Sequence, residues 1–301
     1  MVSQHDTPAE PSDGACAPRR NAFRARGLEL SYLEWGAPEA PPLVMLHGGL
    51  ENAHAWGPVA RRLGARWRII VPDLRGHGES GWASGGDYGV LDFTSDLAVL
   101  FRQLDLPPVM LVGHSLGGAV ASYFSALYPG KVDRLCVIEG LRPADHAAPA
   151  TVETQLGAIR TWVDKAATLP VRSPRIYAQT EPMIARLMAA DPLLPEPLAR
   201  DLALSNIRAV EGGYRWKYDP RVRDMALLTT LGPEPRHFWE CIACPTLLVY
   251  GAQSWAKSPA QDGRLSFFRN ARVAEVADAG HNLHHHQPDA FNALLADFLM
   301  G

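Results

Sequence analysis

The sequence predicts an α/β protein, with a mostly parallel sheet covered by helices on both faces. Two observations carry this. Short apolar runs, of the length buried strands need, alternate with longer stretches of helical spacing. The turns between them are marked by 26 Gly and 25 Pro, scattered along the chain rather than gathered in a low-complexity tract. Composition agrees: of 301 residues, 47% are hydrophobic and 20% charged, a globular balance that excludes a disordered or coiled-coil chain.

Leu28–Trp35 alternates like an early antiparallel strand, and Leu43–Leu46 is a buried strand that breaks at His47-Gly48-Gly49. Helical spacing follows over Ala53–Leu63, then a strand at Trp67–Val71 closed by Pro72-Asp73. Val90–Leu104 is amphipathic, with Leu91, Leu97, Leu100, Phe101 and Leu104 on one face. Val109–Val112 runs into Gly113-His114-Ser115-Leu116-Gly117, and a small-residue helix over Ala119–Leu127 ends at Pro129-Gly130. Further strands are expected at Leu135–Ile138, Thr246–Tyr250 and Val273–Ala277, before a last helix at Pro288–Met300.

Between Gly140 and Pro235 this rhythm stops. No clear strand, several helical patterns and many prolines mark an inserted helical subdomain. Its aromatics and methionines (Trp162, Tyr177, Met183, Met188, Tyr214, Trp216, Tyr218) mostly build its own small core, with a few left to face a cleft beneath it. It also holds ten arginines from Arg142 to Arg223, most of them surface, one of them available for a substrate carboxylate. The division expected is a flexible tail at 1–21, a core of 22–140 and 236–301, and a helical cap, or lid, at 141–235.

Net charge is −3, so no basic excess exists to neutralise a phosphate backbone, and nucleic acid is not an expected partner. Four cysteines are too few for a disulfide scaffold. Cys241 and Cys244 have no second pair at zinc spacing, and Cys244-Pro245 reads as the lead-in to a buried strand. The N-terminus lacks an apolar leader and no stretch of transmembrane length occurs, so a cytoplasmic protein without a membrane partner, monomer or homodimer, is expected.

The chemistry starts at Ser115. A serine between strand and helix gains reactivity when its Oγ is held at the tip of a tight turn, which needs small residues two positions to either side. Gly113 and Gly117 meet that need, and the following helix points its first N–H groups at the place where an oxyanion forms. With His47-Gly48-Gly49, Asp73-Leu74-Arg75-Gly76-His77-Gly78, Gly113–Gly118 and Ala279-Gly280-His281 in this order and spacing, residues 22–301 resemble an α/β-hydrolase-fold serine hydrolase. A shorter stretch, Gly212–Pro220, is similar to the serine hydrolase-like subgroup. The resemblance implies an eight-stranded sheet, a lid inserted after the sixth strand, and no metal or organic cofactor.

Serine hydrolysis needs a base, and His281 follows the last strand at the sheet edge where Ser115 stands. His284, His285 and His286 cannot converge on one ion and read as a solvated loop or helix start. His114 reads as packing, and His47 as shaping the neighbouring loop. The commonest family pattern has an aspartate soon after the seventh strand, but Tyr250-Gly251 is followed by Ala252, Gln253, Ser254 and Trp255. The acid is therefore sought elsewhere. Glu139 ends the strand beside the nucleophile strand and is the preferred candidate; pairing with Arg142 is its bland alternative, and Asp262 is the rival acid. For the oxyanion hole, Leu116 N–H follows the nucleophile directly, and the resemblance points to Gly49 for the other donor. Asp73–Ser80 reads as a structural turn.

These residues lead us to expect hydrolysis of a small or medium, largely apolar ester or lactone. A serine at the elbow speaks against branches of the fold that need a carboxylate nucleophile. Carbon–carbon bond hydrolysis of a vinylogous diketone, and a low-turnover ligand-binding receptor, are the alternatives.

Overall fold

The computed structural model describes residues 17–142, 173–224 and 235–301, with scattered positions between 151 and 164. Cys16, Trp162 and Arg172 lie outside the described residues. The strands are β1 (Arg19–Ala25), β2 (Leu28–Trp35), β3 (Pro42–Leu46), β4 (Arg68–Pro72), β5 (Val109–His114), β6 (Val132–Ile138), β7 (Ile207–Val210), β8 (Gly213–Trp216), β9 (Thr246–Gly251) and β10 (Ala271–Val276). Eight of them form one sheet in the order β1-β2-β4-β3-β5-β6-β9-β10. β1–β2 and β2–β4 pair antiparallel and every other pair is parallel. This is the mostly parallel eight-stranded α/β sheet that was expected.

The parallel strands are apolar because both of their faces are covered. Helices α2 (Val90–Gln103) and α3 (Leu116–Leu127) close one face over a core containing Val44, Ile70, Leu111 and Leu135. On the other face, α1 (Gly57–Leu63) and the C-terminal helix (Pro288–Met300) pack over Leu43, Ile69, Val112 and Leu247.

Two differences from the sequence reading have simple causes. β1 takes in Arg19–Asn21, which had been assigned to the tail; it is an edge strand of sequence RRNAFRA whose only buried residues are Phe23 and Ala25, so its hydrophobic signal is faint. The insertion does hold strands. β7 and β8 make a separate two-stranded sheet beside helices α4 (Glu181–Ala190) and α5 (Glu196–Ser205), and none of its described residues joins the main sheet. Among the described residues, no helix is long and apolar enough to cross a membrane.

The carboxyl ends of β3, β5, β6, β9 and β10 share one edge. The segments that follow them are His47–Leu50, Ser115, Glu139, Ala252–Trp255 and Asp278–His281. In open parallel sheets this edge is where a crevice for a ligand forms.

Candidate active site

Ser115 stands at the junction of β5 and α3 with φ 50° and ψ −115°, a backbone state L-residues rarely adopt. Its N–H donates to Ile138 O at 2.8 Å, which fixes the turn against β6. The small flanking residues are required. A Cβ on Gly113 would lie 2.3 Å from Gly117 O, and one on Gly117 would lie 2.4 Å from Leu46 O. The serine is half-buried, at the crevice edge.

Glu139 follows β6, also in the left-handed region at φ 46°. Its side chain is fully buried and its carboxylate accepts three hydrogen bonds. His281 Nδ1–H donates to Oε2 at 2.7 Å, Ser254 Oγ–H to the same oxygen at 2.6 Å, and Gly251 N–H to Oε1 at 2.8 Å. Burial opposes the charge, but these three donors outweigh it and hold Glu139 below the ordinary carboxylate range. The histidine is thereby fixed with its proton on Nδ1, which leaves Nε2 as the basic nitrogen. Trp255, 74% exposed, sets its ring 5.0 Å from that of His281, tilted by 36°.

The rival acid is otherwise engaged. Asp262, at the end of a four-residue helix (Pro259–Asp262), receives Arg264 Nε on both oxygens at 2.9 Å. Arg264 also donates to the backbone oxygen of Arg142, and the Glu139 carboxylate is taken up by His281, Ser254 and Gly251. Ser254 is the residue that sequence reasoning missed. It stands where the commonest pattern keeps an acid, and its hydroxyl now steadies one.

The loop after β3 is braced from the core side. His47 Nδ1–H donates to Gly48 O at 2.7 Å while Nε2 accepts Leu74 N–H at 3.0 Å, and Glu51 accepts Gly48 N–H at 2.7 Å. A Cβ at Gly49 would meet nothing within 4 Å, so its backbone faces open space. Leu116 opens α3 immediately after Ser115. Asp73 is a structural residue, accepting Ala53 N–H at 2.7 Å and Glu79 N–H at 3.0 Å.

The histidine triplet differs from expectation. It does start a helix (Leu283–His286), but all three side chains are buried rather than solvated. They diverge: His284 stacks on Trp56 at 4.8 Å, His285 Nε2–H donates to Ala55 O at 2.9 Å, and His286 Nε2–H donates to Asp191 at 2.9 Å. Asp191 caps α4, and it also accepts Asn282 Nδ2 at 2.7 Å. Gly280 N–H in turn donates to His286 Nδ1 at 3.0 Å. Residues on both sides of His281 are therefore tied to the insertion. His114 adds a strut, its Nε2–H donating to His281 O at 3.1 Å.

Burial pushes His47, His77, His284 and His285 below the ordinary imidazole range, His77 to about 3. Unfolded, each takes up a proton near a pH of about 6.5. The unfolded chain thus binds more protons below that pH, and stability falls as pH drops toward the folded values, by about 1.4 kcal/mol per unit for each histidine kept neutral. Thermal unfolding is expected to show Tm falling steadily from a pH of about 6.5 downward. His284→Phe, which keeps a ring against Trp56, should flatten the slope by one proton. An unchanged Tm over that interval would contradict a neutral buried set.

A cavity of about 160 Å³ lies between the Leu50–Ala55 segment and the insertion, walled mainly by Leu50, Ala55, Leu187, Leu194, Leu202 and Trp216. Neither Ser115 nor His281 lines it, but Leu50, which follows Gly49 in the chain, and Asn282, which follows His281, do.

Comparison with known proteins bears on the family and the fold. The chain is 28% identical over 284 residues to an sn-1-specific diacylglycerol lipase of Mus musculus, covering 91% of this chain and 86% of the lipase. It is 27% identical over 282 residues to an esterase of Mycobacterium tuberculosis, covering 92% and 88%. Among solved structures, the thioesterase domain from the curacin biosynthetic pathway superposes with a TM-score of 0.82 at 28% identity, covering 93% of this chain and 99% of that domain. The profile of the alpha/beta hydrolase fold family matches residues 41–288, and the chain belongs to that family as a serine hydrolase.

Proposed function

We propose that this protein hydrolyses carboxylic esters or lactones through an acyl-enzyme on Ser115, with a Ser115–His281–Glu139 triad. The observation that carries the reading is the 2.7 Å bond from His281 Nδ1–H to a buried Glu139 carboxylate, on the sheet edge that also presents Ser115. Ser115 Oγ attacks the carbonyl carbon as His281 Nε2 takes its proton. Gly49 N–H and Leu116 N–H hold the tetrahedral oxyanion; rigid backbone dipoles need no reorganisation as the charge appears. Collapse expels the alcohol, which receives the proton from His281. Water then attacks the acyl carbon, again losing a proton to His281, and the acid leaves with Ser115 restored. Glu139 stays ionised and stabilises the imidazolium. The insertion acts as a cap, and the cavity beneath it sets the size of the group accepted.

The test is a panel of p-nitrophenyl esters of graded acyl length and of simple lactones, run with wild type and Ser115→Ala. Turnover with an optimum at short to medium acyl chains is expected. If wild type exceeds the variant on no member of the panel, the reading fails.

A further inference from the structure

The cavity under the cap does not end at its apolar walls. Against those walls lies a second basin of about 340 Å³, with Arg186, Trp216, Tyr218 and Arg223 lining both. Arg175 lines the outer basin as well, beside Tyr177. Three of its lining side chains are guanidinium groups, and no Asp or Glu lines it among the described residues. The one carboxylate on the inner cavity, Glu51, is engaged on the core side by Gly48 N–H at 2.7 Å.

Elsewhere on the insertion, three arginines meet carboxylates, Arg200 facing Glu181, Arg208 Glu79 and Arg221 Asp219, while Arg215 lies over the Trp82 ring at 4.5 Å. Around the basin, two of the three arginines meet aromatic rings. Arg223 lies over the Tyr218 ring at 5.4 Å and donates to its hydroxyl at 2.7 Å, and Arg175 lies over the Tyr177 ring at 4.8 Å. These contacts orient a planar guanidinium without neutralising it, and leave N–H donors for an anion. Arg186 projects from α4 beside Leu187 and Ala190, which line the inner cavity with it. Among the described residues no carboxylate lines the basin, so its three like charges repel one another, and that repulsion is relieved when an anion binds.

The path therefore has two chemistries in sequence. It leaves the oxyanion loop at Leu50, crosses apolar walls, and ends among arginines. We propose that the basin receives an anionic group, a carboxylate or a phosphate, at the far end of the acyl chain, so that the protein selects acyl groups with an anionic tail. This rests on the ester-hydrolase reading above and specifies the substrate class of that site. Guanidinium groups bind either anion bidentately, and charge-assisted hydrogen bonds of this kind are the strong ones.

The test compares p-nitrophenyl esters that share a leaving group. One series carries an ω-carboxylate (glutarate to suberate), the second is its neutral ω-methyl ester, and the third carries an ω-phosphonate. Wild type is expected to favour an anionic ester over its neutral match by about tenfold or more in kcat/KM at one or two lengths, mostly through KM. Arg186→Gln and Arg223→Gln should each lower that ratio severalfold, Arg186→Glu should lower it further, and added salt should erode it. Preference for phosphonate over carboxylate identifies a phosphate-bearing substrate, and the reverse order a dicarboxylate half-ester. A ratio at or below one at every length, with neutral esters turned over, overturns the anion site and leaves the hydrolase reading intact. If no ester is turned over, calorimetry on Ser115→Ala with monomethyl adipate against dimethyl adipate still decides. Tighter binding of the anion that is lost in Arg186→Gln supports the site, and equal binding overturns it.

Discussion

A Ser115→Ala variant is expected to lose ester hydrolysis by about 10⁴- to 10⁶-fold in kcat, the scale seen when a triad nucleophile is removed. The oxygen is the only heavy atom lost, so substrate binding should persist with little change in KM. Folding should persist as well. Ser115 is half-buried, and the turn is fixed by its backbone bond to Ile138 O and by close packing at Gly113 and Gly117, none of which uses the hydroxyl. A Tm within a few degrees of wild type is the expected control. A fluorophosphonate should phosphonylate wild type at one serine and leave the variant unlabelled. Labelling that survives the substitution removes Ser115 as the nucleophile, whatever the fold.

How much of this was legible in the sequence follows from how local each cause is. The parallel strands were readable because burial on both faces demands continuous apolar runs, as in Leu43–Leu46 and Thr246–Tyr250. β1 was not, since an arginine-rich edge strand with one buried side has almost no such signal. β7 and β8 were missed for a related reason: they are four residues each and only partly buried. At the site, Ser115 and His281 announce themselves through short motifs. Glu139 had to be inferred, from the missing acid after Gly251 and from the adjacency of β6 to β5.

What remained hidden depends on contacts between distant segments. The tie from Asp191 to His286 joins residues 95 positions apart, and nothing near either one hints at the other. The same holds for Asn206 Nδ2, which donates to Leu50 O and so links the end of α5 to the loop beside Gly49. The histidine triplet was misjudged because three polar rings in a row suggest water. Aromatic stacking on Trp56, a backbone acceptor and a carboxylate instead give each ring a buried place. The inserted segment is thus tied to the Leu50 loop and to the segment around His281, a feature no local pattern encodes.

Glu139→Gln is expected to lower kcat by about 10³- to 10⁴-fold, because the substitution sets two hydrogen-bond demands against each other. The carboxylate accepts from Gly251 N–H on one oxygen, and from His281 and Ser254 on the other. A glutamine has one oxygen. If that oxygen stays with Gly251 N–H, the amide NH₂ faces His281 Nδ1 and forces the imidazole proton onto Nε2, the nitrogen that has to receive the proton of Ser115. If it turns to His281 instead, NH₂ meets the Gly251 N–H, donor against donor, in a buried place. Either way the imidazolium loses its counter-charge. Asp262→Asn should cost some stability, since the buried Arg264 then loses its counter-charge and one side-chain acceptor, but should leave kcat within a few-fold. A relocation experiment separates charge from packing. Ser254 Oγ lies 2.6 Å from the Glu139 oxygen that holds His281, so Ser254→Asp brings a carboxylate to the same neighbourhood from the loop after β9. The double variant Glu139→Gln/Ser254→Asp is expected to recover at least about tenfold over Glu139→Gln alone. If Glu139→Gln keeps kcat within about tenfold of wild type, Glu139 is not the acid of the triad, and the buried carboxylate beside His281 serves the fold alone.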